Sequence, residues 1–160
     1  MNYNGISECD VLNGTGFRVV LFVSGCENFC RGCHNQKTWD YNFGHEFTDI
    51  TEEYLYQCLD KEYIDGISIS GGDPFAPNNR DTVIELIHRI RNRYGNTQDI
   101  WVWTGYTLSQ LQEMNIDIND IDVIVDGRFE IDKRDVSLKF RGSSNQKIWR
   151  KIDGKWQIQE

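Results

Sequence analysis

Three cysteines fall within the segment Gly25-Cys26-Glu27-Asn28-Phe29-Cys30-Arg31-Gly32-Cys33-His34-Asn35, at the spacing Cys-x3-Cys-x2-Cys. Thiolates are the usual ligands of iron–sulfur clusters, and four per cubane is the ordinary electron-transfer count. A loop that supplies three can grip one cluster and leave one iron without a protein ligand, free for chemistry. The competing reading is a closed zinc site, which needs a fourth ligand. The candidates are Cys9, Cys58, His34 and His45. Cys58 falls on the apolar face of an expected helix and reads as core. His34 directly follows Cys33 and would be a cramped ligand, and His45 and His88 read as surface residues. Spacing alone leaves the cluster and the zinc site both open.

The elements that must position these thiols come next. Phe17 to Val23 is β-branched and aromatic and reads as a buried strand leading into the cysteine loop. Thr51 to Tyr63 reads as a helix capped at Thr51. Gly66 to Ser70 is a short strand that runs into Gly71-Gly72-Asp73-Pro74. Asn78 to Tyr94 is a helix with the stripe Val83, Ile87, Ile90 and Tyr94, stopped by Gly95. Ile100 to Trp103 is a further strand, and Thr107 with Gln110 forms a capping box. Asp122 to Val125 is another strand, and Lys147 to Gln159 reads as a hairpin turning at Asp153-Gly154. This alternation implies an α/β domain with a largely parallel sheet. Ligands of such sheets gather at the carboxyl ends of the strands. The cysteine loop, Gly71-Gly72-Asp73-Pro74 and Trp103-Thr104-Gly105-Tyr106 all lie there, so one edge of the sheet is the expected site.

The chain of 160 residues is expected to form a single domain over residues 1–160. Its formal charge of −8 argues against binding nucleic acid, which needs clustered Lys and Arg. No apolar run approaches the roughly 20 residues that span a bilayer, so no membrane role is expected. The first residues, Met1 to Glu8, lack the basic start and apolar core of a secretory signal. Five cysteines, three of them tightly clustered, suit reduced thiols in the cytoplasm.

An ordered set of motifs carries a family resemblance. Cys26-x3-Cys30-x2-Cys33 resembles the cluster motif of the radical S-adenosylmethionine (radical SAM) enzymes. Gly71-Gly72-Asp73-Pro74 resembles their Gly-Gly-Glu-Pro motif, with Asp in place of Glu. Asn13-Gly14-Thr15-Gly16-Phe17-Arg18 is similar to the opening motif of the small glycyl-radical-enzyme activases, where the third residue is often Pro. Trp103-Thr104-Gly105-Tyr106, Asp122 to Gly127 and Arg141-Gly142-Ser143-Ser144-Asn145-Gln146 resemble later segments of the activases that serve anaerobic ribonucleoside-triphosphate reductase. The resemblance covers nearly the whole chain.

It implies an α/β fold of a particular kind: a partial, open (β/α) barrel of radical SAM type, truncated, with a C-terminal hairpin. It implies a 4Fe-4S cluster on Cys26, Cys30 and Cys33, with S-adenosyl-L-methionine at the open iron. The adenine would lie near Gly32, Cys33 and His34. Carbonyls of Gly71 and Gly72 would receive the methionyl amine, with Asp73 adding charge complementarity or capping the next helix. Trp103 and Thr104 are candidate pocket walls, and Arg141 would meet a carboxylate, the partner or a surface acid. No catalytic residue is expected beyond the cluster and cofactor. An electron donor such as flavodoxin reduces the cluster. The cofactor then yields a 5′-deoxyadenosyl radical, which takes a hydrogen from a glycine of the reductase. The rival readings are another radical SAM enzyme (a formate-lyase activase or a carboxy-deazaguanine synthase) and a non-catalytic zinc or iron–sulfur module.

Overall fold

The computed structural model describes residues 1–159; Glu160, the last residue of the expected domain, lies outside the described residues. In chain order the elements are β1 (Asn2–Asp10), β2 (Arg18–Val23), β3 (His45–Glu46), α1 (Asp49–Leu59), β4 (Gly66–Gly71), α2 (Arg80–Tyr94), β5 (Asp99–Trp103), α3 (Leu108–Glu113), β6 (Val123–Asp126), β7 (Lys147–Ile152) and β8 (Lys155–Gln159). The strands form one open sheet of eight in the order β3-β1-β2-β4-β5-β6-β7-β8.

Only β2, β4, β5 and β6 run parallel; β1 and β3 at one end, and β7 and β8 at the other, pair antiparallel. The sheet is therefore mixed rather than largely parallel. It is a mixed α/β fold whose two edges do not meet, an arrangement compatible with an open half-barrel.

β1 is an element that its own sequence hides. Its residues are mostly polar, with no clean alternation. It exists because β2 offers a free edge, and the two pair antiparallel with register shifts between Tyr3 and Gly5 and between Ser7 and Asp10. α1 begins earlier than expected. Thr48 is its cap, and Thr51 sits at the third helical position, where its hydroxyl accepts the Thr48 N–H at 3.2 Å. The box at Thr107 and Gln110 forms as expected, with bonds of 2.8 and 3.2 Å. The terminal hairpin turns at Asp153-Gly154, both at positive φ (51° and 75°).

The two faces of the sheet differ. Val19, Leu21, Val23, Ile67, Ile69, Ile100, Val102 and Ile124 pack on one face with the buried residues of all three helices. Alternate residues must face the other way. There Trp101, Val123, Val125 and Ile148 cluster with Trp103 and Phe140, and among the described residues none of the three α-helices contributes to this cluster.

The amino end of this second face is closed by Arg18, which is fully buried. Its Nε donates to Ser68 Oγ at 2.7 Å, Nη1 to the Thr15 carbonyl at 3.0 Å and Asp99 Oδ2 at 3.4 Å, and Nη2 to the carbonyls of Ile67 and Asp99 at 2.8 and 2.6 Å. All five N–H groups of the guanidinium are engaged. Burial pulls its pKa down and Asp99 pushes it back up. The segment Asn13 to Phe17 thus wraps a structural bolt, and the opposite, carboxyl end of the face stays open.

Candidate functional site

The cysteine loop leaves β2 at its carboxyl end. Backbone bonds from Gly25 N–H to Thr38 O (2.7 Å) and from Cys26 N–H to Trp39 O (3.3 Å) pin it to the short 3-10 turn at 36–39. Cys33 N–H donates to Cys30 O at 3.1 Å, closing the second spacer into a turn. Cys26, Cys30 and Cys33 are free thiols, each half-buried. All three line one cavity of about 770 Å³, a volume in the range of ligand sites.

The same cavity is lined by Gly32, His34, Gly71, Gly72, Trp103, Thr104 and Arg141. Separate segments after β2, β4, β5 and β6 thus converge at one edge. The other zinc candidates do not join them. Cys9 is exposed on β1, near Arg18 and so at the far end of the sheet. Cys58 is buried in the core, the position its helical face implies. His45 is exposed on β3, and His88 lies against Asp117 and Asp120. Among the described residues, no three His, Cys, Asp or Glu side chains are grouped tightly enough to hold a single metal ion.

Gly71 ends β4 at φ 107°, where a Cβ would press on the Val23 backbone nitrogen at 2.6 Å. Gly72 N–H donates to Val23 O at 2.8 Å, and no protein donor reaches the Gly72 carbonyl among the described residues. Gly72 thus lines the cavity with a carbonyl that no donor among the described residues reaches.

Asp73 stands elsewhere. It is 1% exposed and does not line the cavity. Its Oδ1 accepts from Thr104 Oγ1 (2.8 Å) and Phe75 N–H (3.0 Å); its Oδ2 accepts from Asn28 Nδ2 (2.7 Å) and Gly105 N–H (2.9 Å). Burial raises its pKa overall, and these donors oppose the rise. Every polar neighbour is a donor, so the arrangement suits the carboxylate. Asp73 therefore ties three loops together instead of facing the cavity. Nor does it cap α2. Asn79 holds the cap position, and its Nδ2 donates to the carbonyls of Ser24, Gly25 and Asp73 at 2.9, 3.3 and 3.0 Å.

Two residues that the motifs do not single out complete the lock. Asn28, inside the first cysteine spacer, has Nδ2 3.5 Å from Cys26 Sγ. Arg128, just after β6, donates to Asn28 Oδ1 at 3.2 Å and to its backbone carbonyl at 2.7 Å. The segment Arg141 to Gln146 holds that arginine's turn. Asn145 Nδ2 donates to Arg128 O (2.7 Å), and Gln146 Nε2 donates to Gly127 O (2.9 Å). Arg141 Nη1 donates to Gln146 O at 2.6 Å, and its Nε is buried without a partner among the described residues. Burial raises the Cys26 pKa, with Asp73 and Cys30 adding to the rise and the Asn28 backbone and side chain opposing it.

The donor set fits an iron–sulfur cluster. Three soft thiol ligands converge on one cavity with no disulfide between them. The remaining walls include Gly72, Trp103 and His34, which supply residue types that can meet a polar group and an aromatic ring.

Known proteins match the chain over almost its full length. The family described as a 4Fe-4S single cluster domain matches residues 12–149. The chain is 42% identical over 156 residues to the anaerobic ribonucleoside-triphosphate reductase-activating protein of Enterobacteria phage T4, covering 98% of each. It is 45% identical over 151 residues to the protein of that name from Escherichia coli K12, covering 92% of this chain and 97% of the relative. The Vibrio cholerae protein of that name is 43% identical over 153 residues, covering 94% of this chain and 98% of the relative.

Proposed function

Because the chain belongs to the family of anaerobic ribonucleoside-triphosphate reductase-activating proteins and carries its 4Fe-4S single cluster domain, we propose that it is a radical SAM enzyme that installs the glycyl radical of such a reductase. Cys26, Cys30 and Cys33 would hold a 4Fe-4S cluster, with S-adenosylmethionine at its fourth iron. When bound, these groups supply the chemistry: one-electron reductive cleavage to methionine and a 5′-deoxyadenosyl radical, which takes a hydrogen atom from a glycine of the partner.

The chain's own residues bind and orient. The Gly72 carbonyl accepts the methionyl amine, with Gly71 holding the turn that presents it. The stretch Gly32, Cys33 and His34 takes the adenine side. Trp103 forms an apolar wall that keeps water from the reacting centre. Asp73 holds the three loops in register from behind. The cavity at the carboxyl ends of the strands admits a chain segment of the partner, which a fully enclosed site would not. A flavodoxin-like protein is the proposed electron donor and the cytoplasm the proposed location. Among the described residues, no helix is long and apolar enough to cross a membrane.

The observation that carries this reading is the meeting of three free cysteines with Gly71 and Gly72 at one cavity. Anaerobic reconstitution with iron and sulfide, then addition of S-adenosylmethionine and a reductant, tests it. Release of 5′-deoxyadenosine is the expected result. An intact cluster that never cleaves the cofactor would instead make the chain a non-catalytic iron–sulfur module.

A further inference from the structure

We infer that Asn28 is a positioning residue that raises the reduction potential of the cluster, through an N–H···S hydrogen bond to Cys26 held in place by Asp73 and Arg128. The inference rests on the cluster assignment made above.

A primary amide has two N–H groups and one carbonyl. Asn28 Nδ2 lies 2.7 Å from Asp73 Oδ2 and 3.5 Å from Cys26 Sγ, one acceptor for each hydrogen. Its Oδ1 accepts from Arg128 Nε at 3.2 Å, and its main-chain carbonyl from Arg128 Nη2 at 2.7 Å. Charge therefore fixes the direction of the amide. Turned over, it would set its oxygen against the Asp73 carboxylate and its nitrogen against the guanidinium. Steric contact fixes its place, because a Cβ on Gly105 would overlap the Asn28 amide.

Hydrogen bonds to ligand sulfurs are among the levers that set cluster potentials. A reduced cluster carries more negative charge on its sulfurs, so an N–H aimed at one of them stabilises the reduced form. Here that donor also stands between the Cys26 sulfur and a buried carboxylate, whose charge acts in the opposite direction. Without the amide, two negative centres would face each other with no donor between them.

The test is a redox titration of the reconstituted full-length protein, followed by electron paramagnetic resonance, with neither S-adenosylmethionine nor reductase present. Asn28→Ala is expected to have a more negative midpoint than the parent at equal iron per chain. Arg128→Gln, an exposed change on the wall of the same cavity, is expected to shift the midpoint in the same direction by less, because the amide loses its anchor. After exchange into D2O, electron–nuclear double resonance should show a deuteron coupling that Asn28→Ala lacks. Unchanged midpoints in both variants at full iron content would overturn the inference. So would identical deuteron couplings in parent and Asn28→Ala. If Asn28→Ala fails to load iron, the Arg128→Gln midpoint decides alone, and an unchanged value overturns the inference. A parent that loads its cluster yet never cleaves S-adenosylmethionine would overturn the activase reading and leave this measurement standing.

Discussion

The Thr104 hydroxyl donates to Asp73 Oδ1 at 2.8 Å while accepting the Tyr106 N–H at 3.2 Å, so the loop after β5 is bonded directly to the loop after β4. The carboxylate fixes the direction of the first bond, because it can only accept, and the hydroxyl keeps a lone pair for the Tyr106 N–H. Asp73→Asn keeps the shape and inverts the hydrogen bonding of one oxygen. Two buried donors would then face an NH2 group. Each such loss costs about 1–3 kcal/mol, so the apo protein should lose roughly 2–6 kcal/mol in chemical denaturation. A change within about 0.5 kcal/mol would contradict the account of Asp73 as the tie between loops.

The cysteines divide into two classes. Cys26→Ala should abolish stable cluster loading, read as iron per chain after reconstitution and desalting. Cys58→Ala should load iron as the parent does and lower stability by about 1–2 kcal/mol, because Cys58 is buried in the helix-covered core. Loss of iron with Cys58→Ala but not with Cys26→Ala would reverse the assignment.

Gly71 has φ 107°, which a side chain tolerates poorly, and its missing Cβ leaves room for the Val23 backbone. Gly71→Ala should destabilise the fold by about 1–3 kcal/mol. It should also weaken S-adenosylmethionine binding to the loaded protein, because the Gly72 carbonyl moves with the turn. Parent-like affinity in equilibrium dialysis would remove Gly71 and Gly72 from the cofactor site.

His88 links α2 to the loop before β6. Its Nδ1 lies 2.5 Å from Asp120 Oδ2 and its Nε2 3.2 Å from Asp117 Oδ2. The hydrogen bond to Asp120 and the two nearby carboxylates raise its pKa above the ordinary 6.5. A group raised in the folded state adds stability below its unfolded pKa and loses it as pH climbs through the folded value. The stability difference between the parent and His88→Gln should therefore be largest below the ordinary 6.5 and shrink as pH climbs above it. A difference that is flat or growing over that range would contradict the ion-pair geometry.

Much of this architecture could be read from local sequence, and the reasons are physical. β2, β5 and β6 are short, largely apolar runs because the parallel core is buried, and β4 shows as Ile67 and Ile69 alternating with serines. The thiols and Gly71-Gly72 announce themselves because few other residue types suit ligation or a tight left-handed turn. β1 was not legible, because its pairing partner rather than its polar sequence makes it a strand. Arg18 looks like a surface residue until its five bonds at the end of the sheet are seen. Asp73 was expected beside the cofactor, and its burial follows from donors 31, 32 and 45 residues away. The pairing of Asn28 with Arg128 spans 100 residues, beyond any local pattern.

The central claim is that the cluster site delivers a radical to a partner protein. The most direct test is electron paramagnetic resonance of an anaerobic ribonucleoside-triphosphate reductase mixed with the loaded, reduced chain and S-adenosylmethionine. The account predicts a glycyl radical doublet on the reductase, formed with release of 5′-deoxyadenosine and absent with Cys26→Ala. Cofactor cleavage with no signal on the reductase, or an equal signal from Cys26→Ala, would contradict it.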